Sequence, residues 1–375
     1  MDDTMDSKER ITNQILGREI DRIPMFGGWF FGEDNLAELA GITVDDYLAK
    51  PAENLIRANG ALQIDGLIST PIVPDTRDQI RAARVVFEEE VNLEPEALKE
   101  DAEKIPTDDA KIVAACKAEG TAQKYRRYIE EQMSLYGDIV YVPTYWEALP
   151  DFQLYGTYGY ESYLAAIGLY PDEVGQLFRQ SGIQARYRNE ILVKLYKEYD
   201  LVPILFCGCD ICNNAGPLCS PSFLRKYYFQ WVKFALVPFF EEGVKVIRHC
   251  DGNVMPLIDD FFDVGYAGFQ GFQYECGVDP YEIVAKNPNK DTPVLFMAGL
   301  NVTRTLPFGS IEDVQREIDY VLGFTGGGRG LFFFTSSSIG PEVPLRNVTF
   351  AYDYVAGLSV PVDLGGGIER VWPTK

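Results

Sequence analysis

The chain alternates between short apolar runs, rich in β-branched and aromatic residues, and longer segments in which apolar residues recur with helical spacing. The apolar runs predict strands at residues 24–30, 64–70, 139–145, 201–206, 244–247, 266–272, 293–297 and 330–335. The segments between them predict helices, chiefly at residues 43–62, 110–136, 161–199, 220–242, 253–262 and 310–322. Eight strand and helix units in succession predict an α/β fold, a single (β/α)8 TIM barrel of parallel strands.

Local signals agree with these boundaries. Ser220 precedes Pro221, which places a capping hydroxyl before a proline at the first helical position. A stretch rich in Glu and Lys at residues 84–106 predicts a solvated excursion between the second and third strands, and a helical extension is predicted before the first strand. No repeat or linker divides the sequence, so residues 1–375 are predicted to form a single domain.

Composition narrows the range of partners. The chain has 34 Lys and Arg against 56 Asp and Glu, a net charge of −22, which disfavours binding to nucleic acid or to anionic membranes. No apolar run reaches the length of about 18 residues that spans a bilayer, and the first residues do not read as a targeting segment. Seven cysteines are too sparse for a disulfide scaffold. We therefore predict a cytoplasmic protein with reduced cysteines that acts on a small molecule.

In a (β/α)8 barrel, chemistry occurs at the carboxyl ends of the strands, because packed side chains fill the interior while the following loops are free to vary. The positions just past the predicted strands carry mostly polar, thiol and aromatic side chains. They include Trp29, Glu33, Asp75, Trp146, Glu147, Cys209, Asp210, His249, Asp251, Glu275, Cys276, Asn301 and Ser337.

The only histidine of the chain, His249, ends the fifth predicted strand, and Asp251 follows it. Because side chains alternate along a strand, His249 and Asp251 should share one face while Cys250 turns away. An imidazole beside a carboxylate can form an acid/base pair or two ligands of a metal ion. We predict that His249, Asp251 and Asp210, which lies just past the fourth strand, are catalytic. The alternative is a histidine that only hydrogen-bonds a neighbouring aspartate.

Glu275 ends the sixth predicted strand, which neighbours the fifth in a barrel. With His249 and Asp251, its carboxylate could complete a site for zinc or another divalent ion that keeps a position open for substrate. The alternative is a carboxylate that accepts hydrogen bonds from loop amides.

Three closely spaced cysteines, Cys207, Cys209 and Cys212, have the appearance of a thiolate cluster for zinc or iron and sulfur. Such a site usually draws on four ligands, and no second C-x-x-C motif occurs in the sequence. Free cysteines often pack as small hydrophobic residues. We therefore predict that Cys207 and Cys212 belong to the core and that Cys209 lies at the barrel mouth.

Aromatic side chains crowd the predicted mouth, where they could bury a flat apolar ligand or simply fill the core. The substrate-binding residues that we predict are Trp29, Tyr145, Trp146, Cys209, Cys276, Asn301 and Ser337.

Several runs of the sequence resemble the uroporphyrinogen decarboxylase superfamily, which includes the cobamide-dependent methyltransferases. The resemblance covers residues 8–358 and is most specific at residues 216–221, 249–253, 265–279, 298–301 and 338–347. It implies a (β/α)8 barrel, in agreement with the strand count.

For the methyltransferase branch, the resemblance implies a zinc ion that a His-x-Cys pair and a later cysteine bind and that activates a thiol. His249 matches the histidine, whereas Asp251 and Ser337 stand where the cysteines would be. Glu275 stands where related methionine synthases supply a zinc-binding glutamate. The implied metal site is therefore rich in oxygen, which should make the ion a stronger Lewis acid. A corrinoid-carrying protein is the implied partner.

Three functions remain open. The first is transfer of a methyl or alkyl group between a small, apolar or aromatic substrate and a corrinoid or thiol. The second is decarboxylation of a pyrrole, a porphyrinogen or another small acid without a metal, although few arginines at the mouth and a charge of −22 are poorly suited to a polyanion. The third is ligand binding without turnover. A homo-oligomer is compatible with each of them.

Overall fold

The computed structural model describes residues 5–68, 93–117, 120–271 and 273–363. Each of the eight apolar runs contains a strand there, whereas residues 69–70 and 272 of the predicted strands lie outside the described residues, as does Asp75. The strands are β1 (Phe26–Gly27), β2 (Gly66–Ile68), β3 (Val140–Val142), β4 (Ile204–Gly208), β5 (Cys212–Asn213), β6 (Gly216–Pro217), β7 (Lys245–His249), β8 (Gly268–Gln270), β9 (Leu295–Leu300) and β10 (Leu331–Thr335). The hairpin of β5 and β6 was not among the predicted strands.

Helices separate the strands of the eight predicted runs, as expected. They are Ser7–Ile15, Glu33–Ala40, Val44–Ala49, Pro51–Gly60, Pro95–Glu103, Asp109–Lys117, Thr121–Tyr136, Tyr155–Tyr158, Tyr160–Leu169, Pro171–Glu198, Pro221–Phe223, Phe229–Glu241, Ile258–Val264, Pro280–Lys286, Thr305–Phe308, Ile311–Phe324 and Leu345–Ala356. A π-helical turn, Leu224–Tyr228, joins two of them, and 3-10 turns occupy Trp146–Ala148, Met255–Leu257 and Tyr274–Cys276.

Three helices predicted as continuous are divided in the structure. The segment predicted at 161–199 forms Tyr160–Leu169 and Pro171–Glu198, and the segment at 43–62 breaks before Pro51. Proline lacks the N–H that would continue the preceding helix, but it is well suited to a first helical turn. The third segment, predicted at 110–136, forms the helices Asp109–Lys117 and Thr121–Tyr136. Gly120 precedes the second of them, and its φ of +65° is a left-handed conformation.

The chain divides into two compact units. The first unit comprises residues 1–85, 131–143 and 268–375. In it, β2 pairs in parallel with β1 on one side and with β3 on the other. Likewise, β9 pairs in parallel with β8 and with β10. A parallel bridge between Met25 and Phe333 joins β10 to the segment that precedes β1. Phe26 and Phe332 stack with ring centroids 4.9 Å apart, so aromatic packing fills this core.

The second unit comprises residues 86–130 and 144–267. Its strands β4 and β7 pair in parallel, and a parallel bridge connects Thr144 to Phe206 of β4. The long helix Pro171–Glu198 packs closely against the helix Phe229–Glu241, because Gly182 leaves room for Trp231. A Cβ atom on Gly182 would lie 2.8 Å from the Cβ of Trp231.

Parallel strands that alternate with helices confirm the predicted α/β class and fit a TIM-barrel-like fold. Closure of the strands into a ring, and the single domain, stay predictions. The helix Ser7–Ile15 forms the predicted N-terminal extension, and Pro95–Glu103 lies in the predicted excursion, of which residues 84–92 are outside the described part. Within the described ranges, no helix combines the length and the apolar character that crossing a membrane requires.

Candidate functional site

The candidate site of the second unit is built where β4 and β7 end side by side. Gly208 of β4 is in register with His249 of β7, so both chains leave the sheet at the same level. A Cβ atom on Gly208 would lie 2.7 Å from the Cβ of His249. A side chain at Gly208 would also overlap the backbone of His249, so the glycine allows the two strands to approach closely. Asp210 and Asp251 follow on the two adjacent segments.

Asp210, His249 and Asp251 converge. One ligand atom of each lies within 4.8 Å of those of the other two. Asp210 Oδ1 is 3.5 Å from His249 Nε2 and accepts a hydrogen bond of 2.8 Å from the backbone N–H of Asp251. His249 is 9% exposed, and the two aspartates are half-buried, so the group faces a concave and partly solvated space.

Aromatic rings fix the orientation of the imidazole. Trp146 packs edge-on against His249 with ring centroids 5.8 Å apart, and Phe206 does so at 6.1 Å. These rings restrict the imidazole while its Nε2 atom remains near Asp210. Trp146, which we predicted as a wall of the site, thus lies beside the histidine.

A cavity of about 450 Å³ adjoins this group. Its lining includes Trp146, Phe152, Gln184, Arg188 and Cys209. The volume is within the range of small-molecule sites, and the mixture of apolar walls and a few polar groups is typical of them. The lining of the cavity contacts the group through Trp146, which packs against His249, and Cys209 in the lining directly precedes Asp210.

Tyr155, which is not among the predicted site residues, is also close to the group. Burial raises the pKa of its hydroxyl, and the charge of the nearby Asp210 raises it further. The hydroxyl accepts a hydrogen bond of 2.7 Å from Gln153 Nε2. Four tyrosines between residues 155 and 163, directly after the loop that carries Trp146, are the signal that could have indicated it.

Cys207, Cys209, Cys212 and Cys250 are buried or line the cavity, and Cys212 interacts with Cys250. Cys207 and Cys212 are buried as predicted, and burial raises the pKa of the Cys207 thiol to about 12. Cys209 lines the cavity, with its Sγ 3.5 Å from the Tyr228 hydroxyl. Cys250 Sγ accepts a hydrogen bond from the Ile211 N–H at 3.5 Å. Among the described residues, the cysteines do not form a group with metal-ligand spacing.

A buried arginine supports the segment that carries Asp210. Arg248, 1% exposed, donates from Nη2 to the backbone carbonyl of Cys209 at 2.9 Å. Its guanidinium lies over the rings of Phe261 and Tyr266, at 5.4 and 5.7 Å from their centroids. Arg248 therefore fixes the backbone that directly precedes Asp210.

Glu275 and Asn301 form a second polar cluster in the first unit. Glu275 accepts hydrogen bonds from Asn301 Nδ2 at 2.8 Å and from Thr303 Oγ1 at 2.5 Å. The Asn301 backbone N–H donates to Glu317 Oε1 at 2.6 Å, and burial raises the pKa of Glu317 to about 8. Side-chain donors, rather than the loop amides that we had considered, thus bind the Glu275 carboxylate, and its predicted role as a metal ligand stays a prediction.

The remaining predicted substrate-binding residues have these positions. Trp29 is 8% exposed and packs against Phe334 with ring centroids 5.8 Å apart. Tyr145 is 2% exposed and packs against Tyr125 at 5.6 Å, so it contributes to the core. Cys276 and Ser337 are half-buried, and the Ser337 carbonyl accepts a hydrogen bond of 2.6 Å from Thr335 Oγ1.

The donor set of Asp210, His249 and Asp251 is suitable for a divalent ion. One imidazole nitrogen and two carboxylate oxygens are ligands that zinc accepts, and three protein ligands leave a position for substrate. Their mutual distances allow all three to meet one ion. Fold and site together define an α/β protein, TIM-barrel-like, with a candidate metal centre at its strand ends.

Comparison with known proteins bears on the fold. No family model matches the chain, and no curated protein matches it. Among solved structures, a methyltransferase from Methanosarcina mazei is similar, with a TM-score of 0.61 and 14% sequence identity. The match covers 94% of this chain and 98% of that chain. At this identity the likeness shows a shared fold.

Proposed function

We propose that this protein is a methyltransferase that uses a metal ion at Asp210, His249 and Asp251. The convergence of these three side chains beside a cavity of about 450 Å³ is the observation that carries the proposal. The fold shared with a methyltransferase supports it. The sequence resemblance supports the same reaction class and suggests that the acceptor is a thiol or a corrinoid on a partner protein.

The residues of the chain have separable roles in this reaction. His249, Asp210 and Asp251 would hold the ion, and a bound divalent ion would supply Lewis-acid chemistry that favours a thiolate or polarises a leaving group. Trp146 orients the imidazole and, with the other apolar walls of the cavity, excludes water from the reacting groups. Burial raises the pKa of Tyr155 above a value at which a phenol is already protonated at neutral pH, so its hydroxyl can donate a hydrogen bond toward the site.

A transfer assay tests this proposal. The zinc-loaded protein is incubated with methoxylated aromatic compounds and cob(I)alamin, and formation of methylcobalamin is followed by absorbance. We expect transfer by the wild type and by Asp259→Asn, which removes an exposed carboxylate from the helix Ile258–Val264. We expect none by His249→Ala. Equal transfer by metal-free protein or by His249→Ala would eliminate the proposal.

Decarboxylation is the second candidate, because Arg188 offers a guanidinium to an acid in the same cavity. Release of carbon dioxide from aromatic carboxylates is therefore measured in the same incubations. Release without methyl transfer, independent of metal, would favour a decarboxylase. If ligands bind but neither product forms, the protein is a binding protein.

A further inference from the structure

The cavity beside the candidate metal centre is lined by a cation whose hydrogen-bond donors are not used by any described residue. Arg188 lies on the helix Pro171–Glu198, is half-buried and lines the cavity. Two other arginines of this helix have carboxylate partners: Arg179 pairs with Asp109, and Arg186 pairs with Glu190 at 2.8 Å. Within the described ranges, no residue forms an ion pair with Arg188 or accepts a hydrogen bond from it.

The two carboxylates that line the same cavity are engaged with other groups. Glu147 Oε1 accepts a hydrogen bond of 3.1 Å from the Tyr125 hydroxyl, and Asp151 Oδ1 accepts one of 2.8 Å from the backbone N–H of Gln153. A guanidinium presents five N–H donors in a planar fork and stays charged at all accessible pH values. The donors of Arg188 therefore remain available for an acceptor inside the cavity.

A second donor lies next to Arg188. Gln184 is four residues earlier on the same helix, so both side chains lie on one helix face, and both line the cavity. Ser181, one turn further back, uses its hydroxyl within the helix, where it donates to the carbonyl of Leu177 at 3.0 Å. The side-chain amide of Gln184 thus adds an N–H group to the fork of Arg188.

The cavity also has apolar lining. Trp146, Leu149 and Phe152 line it, and the indole of Trp146 is in contact with the ring of His249. A volume of about 450 Å³ accommodates an aromatic ring with a substituent. A ligand that spans the cavity would place its apolar body against Trp146 and its polar end against Arg188.

We infer that this cavity binds a small aromatic carboxylate, with the carboxylate in a bidentate contact with Arg188 and a further hydrogen bond from Gln184. Planar acceptors of this kind match the guanidinium fork best. The inference deepens the proposed function, since it names the substrate class of the same site. Transfer of a methyl group from such a ligand would rest on the proposed function, but binding of the ligand requires no metal.

Isothermal titration calorimetry of the metal-free full-length protein with benzoate tests the inference, and benzamide serves as a ligand of the same shape without charge. We expect saturable binding of benzoate and at least about tenfold weaker binding of benzamide. Arg188→Gln should weaken benzoate binding by about tenfold or more, and Gln184→Ala by a few-fold. Arg186→Gln should leave the affinity unchanged.

Arg188→Lys keeps the charge but loses the planar fork, so its affinity for benzoate should lie between those of the wild type and Arg188→Gln. Circular dichroism and Tm identify any variant that fails to fold, and Arg188→Lys then decides the matter. The inference is overturned if benzoate does not bind, if benzamide binds equally, or if Arg188 and Arg186 variants behave alike. Benzoate binding without methyl transfer from 4-methoxybenzoate would instead refute only the proposed function.

Discussion

Two polar clusters at strand ends distinguish the two units of this protein. In the first unit, both carboxylate oxygens of Glu275 accept hydrogen bonds from side chains, those of Asn301 and Thr303. In the second unit, Asp210, His249 and Asp251 direct ligand atoms toward one another. The former arrangement satisfies the carboxylate within the protein, whereas the latter gathers donors that can share a cation.

We expect the surroundings of a strand-end carboxylate, rather than its position alone, to decide whether it binds a metal ion. What decides is whether nearby donors satisfy its oxygens, as Asn301 and Thr303 do for Glu275, or whether other metal ligands surround it. Like charges at close range are unfavourable unless a cation or a proton offsets them. Asp210 and Asp251 are close in this way, and a nitrogen of His249 lies within 4.8 Å of an oxygen of each.

Removing a ligand in the second unit should have the largest effect. In His249→Ala and Asp251→Asn, we expect the rate of methyl transfer to fall by about a thousandfold, because the ion that activates the reactants is lost. Steady-state kinetics with saturating zinc measures this loss, with Asp259→Asn as the matched control. A loss of less than about fivefold in both variants would contradict the claim that His249 and Asp251 bind an ion needed for methyl transfer.

The cluster around Glu275 and Asn301, which includes Glu317, should make the stability of the protein depend on pH. Glu317 has a pKa of about 8 when folded and about 4.5 when unfolded, so the folded state binds the proton more tightly. The free energy of unfolding should therefore decrease as pH rises from about 5 to about 8, by up to about 4 kcal/mol.

Glu317→Gln should remove this slope, because the amide does not ionise and still offers an oxygen to the Asn301 N–H. Urea unfolding at a series of pH values compares the variant with the wild type. The same slope in both proteins would show that Glu317 does not cause it.

Arg248 should affect metal binding by Asp210, His249 and Asp251, because it holds the backbone that precedes Asp210. Arg248→Met removes the hydrogen bond to the Cys209 carbonyl and should weaken zinc binding by about tenfold, as is typical when a residue that orients a metal ligand is lost. Arg225→Met, which removes an arginine paired with Asp260, is the control. Titration with a competing zinc chelator gives both affinities, and equal values would exclude this role.

The smallest effect is expected at Glu275. Glu275→Gln should lower the free energy of unfolding by about 1 kcal/mol, since it weakens two hydrogen bonds, and should leave zinc binding unchanged. Chemical denaturation and metal analysis of the variant provide the two values. Loss of zinc would instead support the sequence-based prediction that Glu275 is a metal ligand.

Local patterns predicted much of this structure. The apolar runs located eight strands, and alternation along β7, with the position of Asp210 after β4, indicated which acidic residues to examine. The partners of Glu275 were not predictable, because they depend on how the loop after β9 folds back. Arg188 and Tyr155 were not predicted for a related reason. The packing of their helices brings them near the site, and this packing cannot be inferred from the spacing of residues in the sequence.

Metal content measured after dialysis against zinc tests the central claim most directly. We expect about one zinc ion per chain in the wild type and in Asp259→Asn, and none above background in folded His249→Ala. Equal zinc in all three proteins, or none in the wild type, would contradict the assignment of Asp210, His249 and Asp251 as a metal centre.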